Sequence, residues 1–154
     1  MNIKNYTSSV DASKSLQRIE DFLVEIGATN INKNYDNKIC KGITFLLMDE
    51  TTKTTMAFKL KAQVDECFNV LYKDVKRPSA DTKNTVMQQA SRTAWKILSD
   101  WVEIQCTMII LGQAKPLQMF LPYIYDTKHN ETLFDKIENN PSFAYKMIGY
   151  EAGK

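Results

Sequence analysis

The residues that most often carry catalysis or bind metals are few in this chain. Its only histidine, His129, lies in a polar stretch of the kind that is normally solvated, so there is little basis for predicting a Ser–His–Asp triad or a histidine metal site. Cys40, Cys67 and Cys106 are far apart, form no Cys-x-x-Cys pair and lie among apolar residues. This arrangement is typical of small core residues and not of a disulfide framework or a zinc knuckle. We therefore expect no metal and no cofactor.

The acidic residues do not indicate a catalytic pair either. Asp49 is adjacent to Glu50, and Asp65 is adjacent to Glu66. Adjacent side chains point in different directions on a helix or a strand, which argues against two carboxylates acting on one substrate. The chain has five glycines and lacks both the Gly-x-Gly-x-x-Gly pattern and a phosphate-binding loop. The sequence therefore favours a non-enzymatic protein, with a small enzyme kept as an alternative.

A group of basic residues could form a nucleic-acid-binding surface. Lys59 and Lys61 are predicted on the outward face of a strand, and further cations surround a polar segment downstream. Such cations can neutralise phosphates, and a tyrosine beside them can stack on a base. The alternative is an ordinary solvated surface, because four acidic residues are interspersed among the basic ones. The candidate nucleic-acid-binding residues are Lys59, Lys61, Tyr72, Lys73, Lys76, Arg77 and Lys83.

The C-terminal part of the chain is rich in aromatic residues. Aromatic side chains supply large contact areas both in cores and at protein interfaces, so packing of a core or a lid is one interpretation and a protein-binding surface is the other. In the second interpretation the contact residues are Phe120, Tyr123, Tyr125, Phe143, Tyr145 and Tyr150.

The overall composition is that of an ordinary globular protein and does not indicate a particular kind of binding partner. The chain has 154 residues, of which 20 are basic and 18 acidic, and a net charge of +2 is too balanced to indicate nucleic acid or an anionic membrane by itself. No apolar run approaches the roughly 20 residues that span a bilayer, and the first residues contain no apolar secretory segment. We expect no membrane partner and a cytoplasmic location.

Hydrophobic periodicity predicts the elements that position these residues. Leu16, Ile19, Leu23 and Ile26 form one apolar stripe, which predicts a helix over residues 11–26 that ends at Gly27. The period then changes to two. Three alternating segments separated by turn residues predict a three-stranded antiparallel meander.

The middle strand has an irregular alternation. Ile43, Phe45 and Leu47 share one face, but Lys41 falls on the same parity. A β-bulge at Gly42 would return the lysine to the solvent side, and glycine within a strand often marks such a bulge.

Helices are predicted over most of the chain beyond the sheet. A second helix covers residues 63–75, an interior loop covers 76–84 because Pro78 cannot continue helical hydrogen bonds, and a long helix covers 84–111. The long helix is apolar around much of its circumference, so we expect it to be the spine of the fold or the core of a homodimer. A short turn between prolines and a weak helix over 130–138 precede a tail, 139–154, for which packing on the body, packing on a partner and flexibility stay open.

The sequence thus predicts one α+β domain that spans residues 1–154. Its predicted order is an N-terminal helix, a three-stranded antiparallel β-meander, a second helix, a long buried helix and short C-terminal helices.

Two segments resemble a known family. The first is RTAWKILSDWVEIQ, residues 92–105, followed by Gly112 and by Phe-Leu-Pro-Tyr at 120–123. The second is the opening of the chain, from Ser9 to Thr29. Both are similar to a functionally uncharacterised family of small proteins encoded by bacteriophages and integrated mobile elements, and the resemblance extends to about Tyr125. It implies a phage-like origin and the cytoplasm of a bacterial host cell, and it assigns no catalytic residues.

The order helix, three strands, helix is also similar to double-stranded-RNA-binding domains, in topology alone. Such domains carry lysines at the start of the final helix, where this chain has Gln63-Val64-Asp65-Glu66. This departure argues against RNA binding.

Two functional hypotheses follow. The first is a non-enzymatic phage or mobile-element accessory protein that binds DNA, or a DNA-bound complex, during replication or recombination, and it rests on the origin and on the basic residues between Lys59 and Lys83. The alternative is an inhibitor that binds a host protein, for example a component of antiviral defence, and it rests on the near-neutral charge and the aromatic C-terminal part. Salt dependence separates the two, because phosphate contacts weaken steeply with salt and an aromatic protein interface does not.

Overall fold

Residues 2–149 of the chain are described by a computed structural model. The predicted α+β class and the predicted order of elements are confirmed. In chain order the elements are α1 (Ala12–Glu25), β1 (Thr29–Asp36), β2 (Ile39–Met48), β3 (Thr55–Lys61), α2 (Val64–Tyr72), α3 (Ala80–Ile110), α4 (Pro116–Phe120), a 3-10 turn (Leu121–Tyr123), β4 (Tyr125–Asp126), β5 (Glu131–Thr132), α5 (Leu133–Asn139) and α6 (Pro141–Met147).

The main sheet is the predicted antiparallel meander, with β2 between β1 and β3. The pairing of β1 with β2 shifts by one residue after the Asn34–Gly42 pair, so Lys41 is the extra residue of a β-bulge and the prediction of a bulge at Gly42 is confirmed. A Cβ atom on Gly42 would lie 2.9 Å from the carbonyl oxygen of Leu60 on β3. Glycine is therefore required by the close approach of two strands.

The core lies between one face of the sheet and the helices α1 and α3. Ile43, Phe45 and Leu47 of β2 are buried, as their alternation predicts, and they belong to one apolar cluster with Ile19 and Leu23 of α1. The stripe predicted for the first helix is thus its core-facing side.

Helix α3 is the spine of the fold. It contains 31 residues, which corresponds to about 46 Å, and it packs against both α1 and α2. Trp95 is 0% exposed and donates its indole N–H to the Cys40 carbonyl oxygen at 2.9 Å, which joins the helix to β2 beside the bulge. Ile104 and Leu111, near the C-terminal end, are exposed. A homodimer through this helix would use that end, and it stays a prediction.

The connection between α2 and α3 is shorter than the predicted loop over 76–84. Helix α3 begins at Ala80, because the Ser79 hydroxyl accepts a hydrogen bond from the Thr82 N–H at 3.2 Å and so caps the helix. Helix α2 ends at Tyr72, three residues before the predicted end, so the connection covers residues 73–79.

The C-terminal part contains more regular structure than the sequence predicts. Helix α5 begins at Leu133 and not at 130, because β5 pairs with β4 and Thr132 then forms a capping box with Asp135. Part of the predicted tail over 139–154 is helical, as α6, and residues 150–154 lie outside the described residues. Within residues 2–149, each helix is too short or too polar to span a lipid bilayer.

Candidate binding groove

A groove of about 820 Å³ opens beside β3. Its walls come from elements that are far apart in sequence: the end of β3 and the two residues that follow it, helices α2, α3 and α5, strand β5, the 3-10 turn and one residue before α1. The lining residues are Ile3, Lys59, Leu60, Lys61, Ala62, Gln63, Glu66, Cys67, Val70, Ala94, Ile97, Leu98, Trp101, Pro122, Tyr123, Thr132, Phe134 and Asp135. Most of these side chains are apolar.

The floor of the groove is one face of α3. Ala94, Ile97, Leu98 and Trp101 are separated by three, one and three residues, so they lie on the same side of the helix. The Trp101 ring contacts the Tyr123 ring edge-on, with centroids 5.5 Å apart, and this contact holds the 3-10 turn against the helix. This side of α3 thus forms the apolar floor of the groove.

The rim of the groove exposes apolar side chains to solvent. Val70 on α2 is 39% exposed and Phe134 on α5 is 55% exposed. Full burial of an exposed side chain of this kind is favourable by about 1.5–3 kcal/mol, so covering the exposed part of each of these two contributes roughly half of that. Binding of an apolar ligand over these side chains would therefore be favourable, because it removes apolar surface from water.

The outer edge of β3 is covered at Phe58, which pairs with Ile124 through an isolated antiparallel bridge, and the groove lies beside the residues that follow. Five consecutive residues, 59–63, line it, although alternate side chains of a strand point to opposite faces, so it is the edge of the strand that borders the groove. The Ala62 N–H bonds to the Lys41 carbonyl at 2.9 Å, which places Ala62 and, two residues earlier, Leu60 among the residues hydrogen-bonded to β2. The backbone N–H and C=O of Lys61 consequently face away from β2.

Lys59 and Lys61 make this edge cationic. Within residues 2–149 neither ammonium has a carboxylate within ion-pair distance. The Lys59 ammonium donates to Asn130 Oδ1 at 3.3 Å and lies 4.9 Å from the centre of the Tyr125 ring. Partial burial, and then the charge of Lys61, lower the pKa of Lys59. The two lysines therefore repel each other and lack a direct anionic partner.

Two acidic residues also line the groove. The Asp135 carboxylate accepts the Thr132 N–H at 2.9 Å, and this bond lowers the pKa of Asp135. Its charge acts on both lysines from beyond ion-pair distance. Glu66 lies on α2, and within the described range it makes no ion pair or side-chain hydrogen bond. The β3 edge is thus positive, and Glu66 puts a negative charge on α2.

The predicted nucleic-acid-binding residues fall into two groups at opposite ends of α2. Lys59 and Lys61 precede the helix and line the groove, whereas the other cations follow its last residue. Nine helical residues separate the groups by about 14 Å. Tyr72 stacks on Phe68, with ring centres 5.0 Å apart. The second group consists of Lys73, Lys76, Arg77 and Lys83, which are exposed and form no ion pair within residues 2–149.

The predicted protein-binding aromatic residues are also divided. Phe120 is 0% exposed and packs against Phe45, Phe58 and Trp101, so its assignment to a binding surface is wrong: it is a core residue. Tyr123 lines the groove.

The remaining aromatic residues lie around the hairpin and the last helix. Tyr125 donates its hydroxyl to Asn130 Oδ1 at 2.7 Å and supports Lys59. Phe143 is half-buried, with the Lys136 ammonium 6.0 Å from its ring centre, and Tyr145 is 41% exposed. Tyr150 lies outside the described residues.

A cluster of potential metal ligands lies in the turn between β4 and β5. Ligand atoms of Asp126, His129 and Glu131 lie within 4.8 Å of one another. The Lys136 ammonium lies 3.1 Å from an Asp126 oxygen and 3.9 Å from a Glu131 oxygen, so it forms ion pairs with both carboxylates and provides their counter-charge. His129 is exposed, as predicted, but it also bonds to Asp126 at 2.8 Å. This contact could have been predicted from the Asp-x-x-His spacing in a turn, and it fits an ion-pair network that fixes the hairpin.

The three cysteines are buried free thiols, in agreement with the prediction of small core residues. Burial raises the pKa of all three, that of Cys106 to about 12, so none is activated as a nucleophile. Cys67 borders the groove as an apolar wall residue.

Comparison of the chain with protein-family models, with curated proteins and with solved structures gives no match.

Proposed function

We propose that this protein is a non-enzymatic binding protein that takes up an apolar segment of another protein in the groove beside β3. The observation that carries the proposal is the groove itself, whose volume of about 820 Å³ lies in the range of 300–1,000 Å³ that is common for binding sites. It has an apolar floor, exposed apolar rims and, beyond the Phe58–Ile124 bridge, the end of the β3 edge.

The arrangement of charges favours a protein partner over DNA for this site. A groove that follows a nucleic acid backbone is lined by cations, whereas this one has an apolar floor and acidic residues, Glu66 and Asp135, among its walls. Only Lys59 and Lys61 of the predicted basic residues border it. The resemblance to phage and mobile-element proteins supports a partner in the bacterial host cell, such as a component of antiviral defence or a protein of a replication or recombination complex.

The test is affinity capture from host lysate with groove variants. The tagged double variant Val70→Glu and Phe134→Glu places two charges on exposed groove positions, so the fold should be retained while apolar binding is lost. The matched control is Val24→Glu with Ile148→Glu, two exposed apolar residues outside the groove. We expect wild type and control to capture the same protein after nuclease treatment and at high salt, and the groove variant to capture at least about tenfold less, a loss of about 1.4 kcal/mol. Equal capture by the groove variant, or loss of the partner on nuclease treatment, contradicts the proposal.

A second candidate function rests on the cations after α2. Lys73, Lys76, Arg77 and Lys83 have no ion-pair partner within the described part of the chain, so they could bind the phosphates of DNA as the sequence predicts. Fluorescence anisotropy of a labelled DNA duplex, measured over a range of salt concentrations, tests it. Charge reversal of all four residues should abolish a steeply salt-dependent affinity, and unchanged affinity excludes this surface.

A further inference from the structure

We infer that the segment bound in the groove carries an acidic side chain, which lies against Lys59 and Lys61 while apolar side chains cover the floor. This inference rests on the proposed function and names the chemistry of the partner at the same site. It follows from the charges that line the groove and from the orientation of the backbone N–H and C=O groups of Lys61.

The first observation is the unmatched charge on the β3 edge. Both lysines line the groove from the same strand, and within residues 2–149 no carboxylate forms an ion pair with either; partial burial, and then the charge of Lys61, lower the pKa of Lys59. Asp135 faces them, but its carboxylate is hydrogen-bonded to the backbone of Thr132. An apolar ligand laid over this edge would desolvate two cations without pairing them, which is unfavourable. A carboxylate on the ligand removes that cost.

The second observation is that the two walls differ in charge. Glu66 lines the groove from α2 whereas the two lysines line it from β3, and Glu66 makes no ion pair or side-chain hydrogen bond in the described part of the chain. A bound segment must therefore be oriented, with its acidic side toward β3. A segment that carries a basic residue at the same position would meet two like charges, so the groove discriminates by sign as well as by apolarity.

The third observation places the backbone of the ligand near these charges. The N–H and C=O of Lys61 face away from β2 and toward the groove. Beyond the Phe58–Ile124 bridge, an extended segment can pair with the backbone of Lys61 at the end of β3, as in a short β-augmentation, which brings its side chains beside the lysine side chains of the same strand. An acidic residue that flanks an apolar run in an extended segment meets both requirements.

The experiment is a selection of displayed random peptides on the full chain. Wild-type protein is compared with Lys61→Glu, which reverses an exposed charge at the groove, and with Lys83→Glu, which reverses an exposed lysine after α2. The Val70→Glu and Phe134→Glu double variant shows which clones need the groove. Circular dichroism of each variant checks that the fold is retained.

We expect wild type and Lys83→Glu to select clones that combine apolar residues with Asp or Glu, and Lys61→Glu to lose that acidic preference and enrich Lys or Arg. Representative acidic clones should bind Lys61→Glu at least tenfold more weakly than wild type. Groove-dependent clones without acidic enrichment, or with the same acidic preference in Lys61→Glu, overturn this inference but leave the proposed function standing. No groove-dependent clones at all overturns both.

Discussion

Replacing Trp95 by phenylalanine should destabilise the fold far more than the same replacement at Trp101. Trp95 is 0% exposed, and its indole N–H is bonded to the Cys40 carbonyl at 2.9 Å. Phenylalanine keeps one ring but removes the donor, so a buried carbonyl beside the bulge loses its partner. Trp101 is partly exposed, and within residues 2–149 its indole N–H makes no hydrogen bond.

The size of the effect follows from these contacts. An unsatisfied buried carbonyl costs about 1–3 kcal/mol. The lost ring leaves a gap in the core that adds about 1 kcal/mol, well below the 3–5 kcal/mol of a complete truncation of a buried aromatic side chain. Trp95→Phe should therefore lower the free energy of unfolding by about 2–4 kcal/mol, and Trp101→Phe by less than about 1 kcal/mol.

Urea unfolding followed by far-ultraviolet circular dichroism measures both values. The dependence on urea should be unchanged, so that the shift in midpoint reports stability alone. Equal midpoints for the two variants, or a loss below about 1 kcal/mol for Trp95→Phe, would refute the view that this hydrogen bond joins α3 to the sheet.

Three further predictions concern the bulge, the core and the hairpin. Gly42→Ala should lower the free energy of unfolding by about 1–3 kcal/mol, because its Cβ would lie 2.9 Å from a backbone oxygen; a neutral result in the same urea assay would show that the strands can separate. Cys106, with a pKa of about 12 and 0% exposure, should resist a thiol reagent at neutral pH until the protein unfolds, and labelling of the native protein seen by mass spectrometry would contradict its burial. Hydrogen bonds to His129 and Lys136 hold the pKa of Asp126 below its ordinary 3.8, so this carboxylate stabilises the fold above about pH 4 and the contribution is lost as the pH falls further. Asp126→Asn should therefore flatten the acid side of the stability profile from urea unfolding at several pH values, and an unchanged slope would count against the network.

Elements defined by local periodicity could be predicted from the sequence. The stripe of α1 and the alternation in β2 each require only a few neighbouring residues, and the bulge is predictable because Lys41 breaks the alternation beside Gly42. The predicted start of α3, residue 84, is four residues late, because Pro78 and Ser79 have the composition of a loop and the capping hydrogen bond of Ser79 is defined only by the folded geometry.

The groove could not be predicted, because its walls are distant in sequence. Val70, Trp101 and Phe134 come together only when α2 and α5 pack beside α3 and the 3-10 turn. The basic residues are neighbours along the chain, but the length of α2 separates them in space. Phe120 is followed in the sequence by other aromatic residues, which is why the sequence allows a binding surface there. Its burial results from packing on Phe45, a contact between distant segments that no local pattern predicts.

Site-specific photo-crosslinking in living cells shows whether the groove beside β3 contacts a protein. A benzophenone side chain is placed at Phe134 or at Val70 in the groove and, as a control, at Val24, an exposed apolar residue of α1 outside it. Both groove positions should crosslink to the same protein, and Val24 should not. Adducts to nucleic acid, no adduct at either groove position, or the same adduct at Val24 would contradict a protein-binding groove beside β3.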